Sequence, residues 1–233
     1  MSRIFAAIDT IDHERARALA GLLADKVGGV KLGLEFYLAN GPAGVLSVLP
    51  PRAPLFLDLK LHDIPNTVAG GVNAVAQLSP TFLTVHAAGG SDMLRAARDA
   101  ADDAAARMGR PRMRLLAVTV LTSLDDGDLA AVGQRGPVAD QVRRLAALAR
   151  EAGMDGVVCA PHEVAALRAD LGPDMVLMVP GIRPAWAVAG DQKRVMTPAQ
   201  AIAAGADYLV VGRPITGAGD PAEAAARINA ELA

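Results

Sequence analysis

The chain has 233 residues, is 52% hydrophobic but only 3% aromatic, and carries a formal net charge of -2. That length suits one α/β barrel of about 250 residues better than two domains. The near-neutral charge leaves no electrostatic footprint for nucleic acid or an anionic membrane. A core built from Val, Leu, Ile and Ala is what parallel strands buried on both faces require.

The first apolar run, Ile4–Ile8, is too short for a signal peptide, and no stretch of about 20 apolar residues suggests a membrane span. Eight short apolar runs follow one another: Ile4–Ile8, Gly29–Leu32, Leu55–Leu59, Phe82–Val85, Leu115–Val120, Gly156–Cys159, Met175–Val179 and Tyr208–Val211. Between them lie helical patterns. Residues 13–26 carry Ala16, Leu19, Leu22 and Leu23 on one face, with Asp12 as N-cap. Residues 137–152, 161–170, 198–204 and 221–232 each open with a proline, a residue suited to the first helical turn. Strand–helix alternation without a composition break predicts a single-domain α/β fold, a (β/α)8 TIM barrel, with an open doubly wound sheet as the alternative. The lone Cys159 excludes an internal disulfide, suits a cytoplasmic location and reads as core.

In such barrels the active site is built at the C-terminal ends of the strands. There the sequence places Asp9, Lys31, Asp58 and Lys60, with Asp63 just beyond. Charges inside apolar strands are costly unless paired. Asp58 and Lys60 are two apart and leave the same face of their strand, toward the barrel mouth, while Leu57, Leu59 and Leu61 take the other. A lysine flanked by carboxylates keeps its charge and serves as a proton donor, not as a Schiff-base nucleophile. One Asp–Lys pair alone would read as a structural ion pair; alternating charges on three successive strands favour catalysis.

A second group suits a phosphate. Gly212 and Arg213 end the eighth strand, and Arg183 follows the seventh. A long segment after Arg183, running through Trp186 and Gly190 to Gln192 and Lys193, is placed to close over a ligand. His86 reads as a packed, hydrogen-bonded residue, His62 as a supporting one, and His13 and His162 as surface residues at helix starts. No His/Cys/carboxylate spacing predicts a zinc site, and no P-loop or dinucleotide fingerprint is present.

The segment Asp58-Leu59-Lys60-Leu61-His62-Asp63-Ile64-Pro65-Asn66-Thr67 resembles the signature of the orotidine 5′-phosphate decarboxylase family. Asp9, Lys31, Pro180–Arg183, Gly190–Gln192 and Val211–Arg213 fall in the family's order, so the resemblance runs from Ile4 to about Ile215. It implies decarboxylation of the small-molecule substrate orotidine 5′-phosphate to UMP, the last step of de novo pyrimidine synthesis, with no cofactor and no metal. It also implies roles. Lys60 would protonate C6, Asp58 would destabilise the departing carboxylate, and Lys31 and Asp63 would complete the charge array. Asp9 and Lys31 would bind the ribose, while Arg183, Arg213 and Gly212 would hold the phosphate. Gln192 would link phosphate to base, and Thr122, or its neighbour Thr119, would bond the pyrimidine. Asp63 and Thr67 would reach the neighbouring subunit's site in an obligate homodimer. Related barrels acting on keto-sugar phosphates share the Asp-x-Lys-x-x-Asp strand but bind magnesium beside an acidic residue at the end of strand two, where this chain has Lys31. A non-catalytic nucleotide-binding barrel is the remaining alternative.

Overall fold

A computed structural model describes residues 2–187 and 196–232. Eight parallel strands follow in chain order: β1 (Ile4–Ala7), β2 (Gly29–Gly33), β3 (Leu55–Leu61), β4 (Phe82–His86), β5 (Arg114–Val118), β6 (Gly156–Val158), β7 (Val176–Val179) and β8 (Tyr208–Val211). β1 pairs with both β2 and β8, Phe5 standing opposite Gly29 on one side and Val210 on the other, so the sheet closes. Helical segments follow every strand. The result is a (β/α)8 barrel, and closure excludes the open doubly wound sheet. Among the described residues no helix is long and apolar enough to cross a membrane.

Local chemistry sets the helix starts. Asp12 caps the helix His13–Leu23 by accepting from the Arg15 N–H at 3.0 Å. Pro198 and Pro221 occupy first-turn positions. Pro161 opens a short 3₁₀ turn that leads into the helix Val164–Leu171. Pro137 departs from expectation: it is the N-cap of Val138–Glu151, with φ -66° and an extended ψ of 165°. Its ring fixes φ but not ψ, so the same residue suits a cap as well as a first turn.

Each strand sends alternate residues outward and inward. The outward set, including Ile4, Ile8, Leu57, Leu83, Leu115, Val157, Leu177 and Leu209, is buried beneath the helices in the main core. The inward set forms a second, smaller core of Phe5, Ala7, Phe56, Phe82, Leu116, Met178 and Val210, with Tyr208 against it. Three of the chain's four phenylalanines stand here with Tyr208, edge to face, at centroid distances of 5.3–6.1 Å. Arg114 lies over Phe82 at 4.2 Å and closes the end where the strands begin. Among the described residues this packed floor closes one end of the barrel interior and leaves the C-terminal mouth open.

Candidate active site

A cavity of about 290 Å³ opens at that mouth. Its floor is Phe56 and Val210, one wall is Val118, Val120 and Val158, and the polar side is Asp9, Lys31, Asp58 and Lys60.

The four charges form one continuous chain of contacts. Lys31 Nζ stands 2.8 Å from Asp9 Oδ1 and 3.6 Å from Asp58 Oδ2, and Lys60 Nζ donates to the same Asp58 Oδ2 at 2.7 Å. The side chains of Lys31 and Asp58 are 10% and 13% exposed, so both charges are largely desolvated and depend on each other. Burial pushes the Asp58 carboxyl up. The Lys31 and Lys60 charges, with hydrogen bonds from Lys60 and Thr84, more than reverse this and hold it below the ordinary carboxylate range. Asp58 is therefore an anion with both oxygens engaged. Gly33 leaves room for this pairing: a Cβ there would sit 3.2 Å from Lys31 Nζ and 3.4 Å from Asp9 Oδ1.

Strand alternation places Asp58 and Lys60 on the mouth side as expected, yet the backbone that does so is irregular. The pairing of β3 with β4 shifts between Leu57 and Leu61. Lys60 has φ 49°, in the left-handed region that few non-glycine residues adopt. Its N–H donates to Thr84 Oγ1 at 2.8 Å, and that hydroxyl donates to Asp58 Oδ1 at 2.9 Å. Thr84 was not singled out in the sequence, although a threonine inside the run Phe82-Leu83-Thr84-Val85-His86 is a visible polar interruption on the inward parity.

Across the cavity lie the residues expected to take a phosphate. Pro180, Gly181 and Arg183 follow β7, while Gly212 and Arg213 follow β8. Gly181 has φ 78°, a conformation that favours glycine. Arg183 is nearly buried, its Nη1 donating to the Ile182 carbonyl at 2.9 Å, whereas Arg213 is exposed at the start of the helix Arg213–Thr216. Gln192 lies outside the described residues.

Several other expectations sort themselves by position. Thr122 lines the cavity, while Thr119 is buried and donates to the Val158 carbonyl at 3.1 Å. Asp63 is exposed, its Oδ1 accepting from the Ile64 N–H at 2.7 Å, and among the described residues it joins no ion pair of this chain. Thr67 is exposed as well. Cys159 is buried, as expected, but also touches the cavity wall; burial and the Glu163 charge push its thiol well up, which favours the protonated thiol. His86 packs against His62 with ring centroids 5.3 Å apart, as expected, but among the described residues its buried Nδ1 has no hydrogen-bond partner. Burial, with the nearby His62 and Lys60, lowers its pKa against the opposing pull of Asp58. His13, half-buried and bonded to Ser47, and His162, exposed, keep to helix starts.

A family model described as "Orotidine 5'-phosphate decarboxylase / HUMPS family" matches residues 2–228. The chain belongs to that family. Within the orotidine 5′-phosphate decarboxylase / HUMPS family, it is 58% identical to an orotidine 5′-phosphate decarboxylase of Paramagnetospirillum magneticum over 98% of this chain and 97% of that one. It is likewise 58% identical to the enzyme of that name from Rhodospirillum rubrum, over 98% of this chain and 93% of its relative. The crystal structure of orotidine 5′-phosphate decarboxylase from Lactobacillus acidophilus aligns with a TM-score of 0.87 at 40% identity, covering 100% of this chain and 99% of that one.

Proposed function

We propose that this chain, as one domain, is an orotidine 5′-phosphate decarboxylase that releases carbon dioxide to form UMP, with neither metal nor organic cofactor. The observation that carries the reading is the ion-paired chain Asp9–Lys31–Asp58–Lys60 at the mouth, its middle members Lys31 and Asp58 largely desolvated, facing Arg183 and Arg213 across one cavity. Relatives at 58% identity that bear this enzyme's name support it.

In this reading the phosphate is held by Arg183, Arg213 and the Gly212 N–H, and the ribose by Asp9 and Lys31. The pyrimidine is oriented by Thr122 and Gln192. The C6 carboxylate then lies near anionic Asp58, which disfavours the charged ground state, while the Lys60 ammonium stands where negative charge develops. The bond from C6 to the carboxylate breaks and its electron pair stays on C6. A proton passes from Lys60 Nζ to C6, and water restores the lysine. Phosphate contacts remote from C6 supply binding energy that assembles the reacting geometry.

The same reading makes the active unit a cytoplasmic homodimer in which Asp63 and Thr67 complete the neighbouring subunit's site. Asp63, exposed and outside this chain's own charge array, is available for that purpose. Ile64 beside it, 65% exposed, and Leu34 and Leu38, 45% and 78% exposed after the end of β2, offer an apolar surface for a second copy. A magnesium-dependent reaction on keto-sugar phosphates is disfavoured, because Lys31 places an ammonium 2.8 Å from Asp9 and 3.6 Å from Asp58, where a divalent cation would be repelled.

The test is loss of the ultraviolet absorbance of orotidine 5′-phosphate in the presence of chelator. Conversion to UMP that survives chelation and falls about 10²- to 10⁴-fold in Lys60→Ala is the expected result. A folded dimer without turnover would sink the reading, and keto-sugar phosphates with magnesium would be tried next.

A further inference from the structure

Thr84 is fully buried at the centre of β4, among apolar neighbours. A hydroxyl in that position needs partners, and both lie on β3. It accepts from the Lys60 N–H at 2.8 Å and donates to Asp58 Oδ1 at 2.9 Å. The direction is dictated by chemistry, since an ionised carboxylate only accepts and a backbone N–H only donates.

The Lys60 N–H needs this acceptor for a specific reason. The ladder between β3 and β4 slips between Leu57 and Leu61, and Lys60 turns to φ 49°. At that point a side-chain oxygen on β4, not a main-chain carbonyl, receives the N–H. One hydroxyl therefore fixes two things: the unusual backbone of the residue carrying the ammonium, and the rotation of the carboxylate that ammonium contacts. Packing alone would be served by valine, which has nearly the same shape.

Resting on the decarboxylase reading above, we propose that Thr84 is a positioning residue for the reaction: its hydroxyl sets where Lys60 Nζ and the Asp58 carboxylate stand relative to C6. It touches no reacting atom and acts only through those two side chains. Thr84 does not itself line the cavity that Arg183 and Arg213 share, so ligand affinity held by those arginines does not depend on it.

The experiment compares Thr84→Val and Thr84→Ser with the wild type in steady-state decarboxylation, together with UMP affinity by calorimetry. Thermal unfolding of each variant sets an assay temperature at which all are folded. Thr84→Val is expected to lower kcat about 10- to 100-fold, as small misplacements of reacting groups do, with KM and the UMP Kd within about twofold of wild type. Thr84→Ser, which keeps the hydroxyl, should recover kcat to within about threefold of wild type. Unchanged kcat in Thr84→Val overturns the proposal. So does an equal fall in both variants, or a rise in KM and UMP Kd matching the loss. If Thr84→Val does not fold, Thr84→Ala removes the hydroxyl without added bulk and is held to the same outcomes. Absence of turnover in the wild type brings down the decarboxylase reading and this role with it; normal wild-type turnover with an unaffected variant brings down only the role of Thr84.

Discussion

The two ends of the barrel interior are built from the same strands and do opposite things. At the floor, Phe5, Phe56, Phe82 and Tyr208 interlock edge to face under Arg114, and the packing leaves no opening. At the mouth, one or two inward positions further along those strands, Asp58, Lys60 and Thr84 replace hydrocarbon with a desolvated polar network. Charge burial at the mouth opposes stability, and aromatic burial at the floor offsets it. Inward alternation fixes which residues face the barrel axis, while height along the strand decides whether they stabilise or react.

Substitutions at each end can break that division. The largest effect is expected at the floor: Phe82→Ala should destabilise by about 3–5 kcal/mol, read by urea unfolding, with kcat of the folded fraction nearly unchanged. Equal loss of activity and stability would show that the floor and the mouth are not separable. At the mouth, Asp58→Asn should lower kcat by about 10²- to 10³-fold and remove the stability that the ionised carboxylate adds, a loss limited because Lys31 keeps Asp9 as its partner. The same variant sharpens the electrostatics. Because the folded Asp58 carboxyl titrates below its unfolded value, its ionised form adds stability that is present above the unfolded value and lost as pH falls through the folded one. Unfolding measured near neutrality and again at about pH 3 should therefore show a smaller acid loss in Asp58→Asn than in wild type. The smallest effect is expected from Arg114→Leu, about 0.5–1 kcal/mol for its contact with the Phe82 ring, with no change in kcat.

Much of this division was legible before any coordinates. Strands buried on both faces announce themselves as apolar runs, and all eight lie within two residues of their expected bounds because Gly, Pro and polar clusters end them. The interruption Asp58-x-Lys60 stood out for the same reason. Its backbone did not: regular alternation puts both side chains on one face, and the observed geometry reaches the same face through a register shift and a left-handed Lys60, which no spacing encodes. Thr84 does not stand out in the sequence because threonine is common in strands; what distinguishes it is two contacts to another strand, 24 and 26 residues away in sequence. Asp63 illustrates the other limit. Proximity to Lys60 in sequence suggests one cluster, but the chain turns after Leu61 and carries Asp63 to the exposed surface.

Trp186, three residues after Arg183, lies under the Arg227 guanidinium at 4.3 Å and donates its indole N–H to Glu231 at 3.1 Å. It is the only tryptophan in the chain. Indole emission from this protein therefore has a single origin, half-exposed at the seam between the segment bearing Arg183 and the C-terminal helix Pro221–Ala230, and quenching or a spectral shift on nucleotide addition reads out that seam without any introduced label.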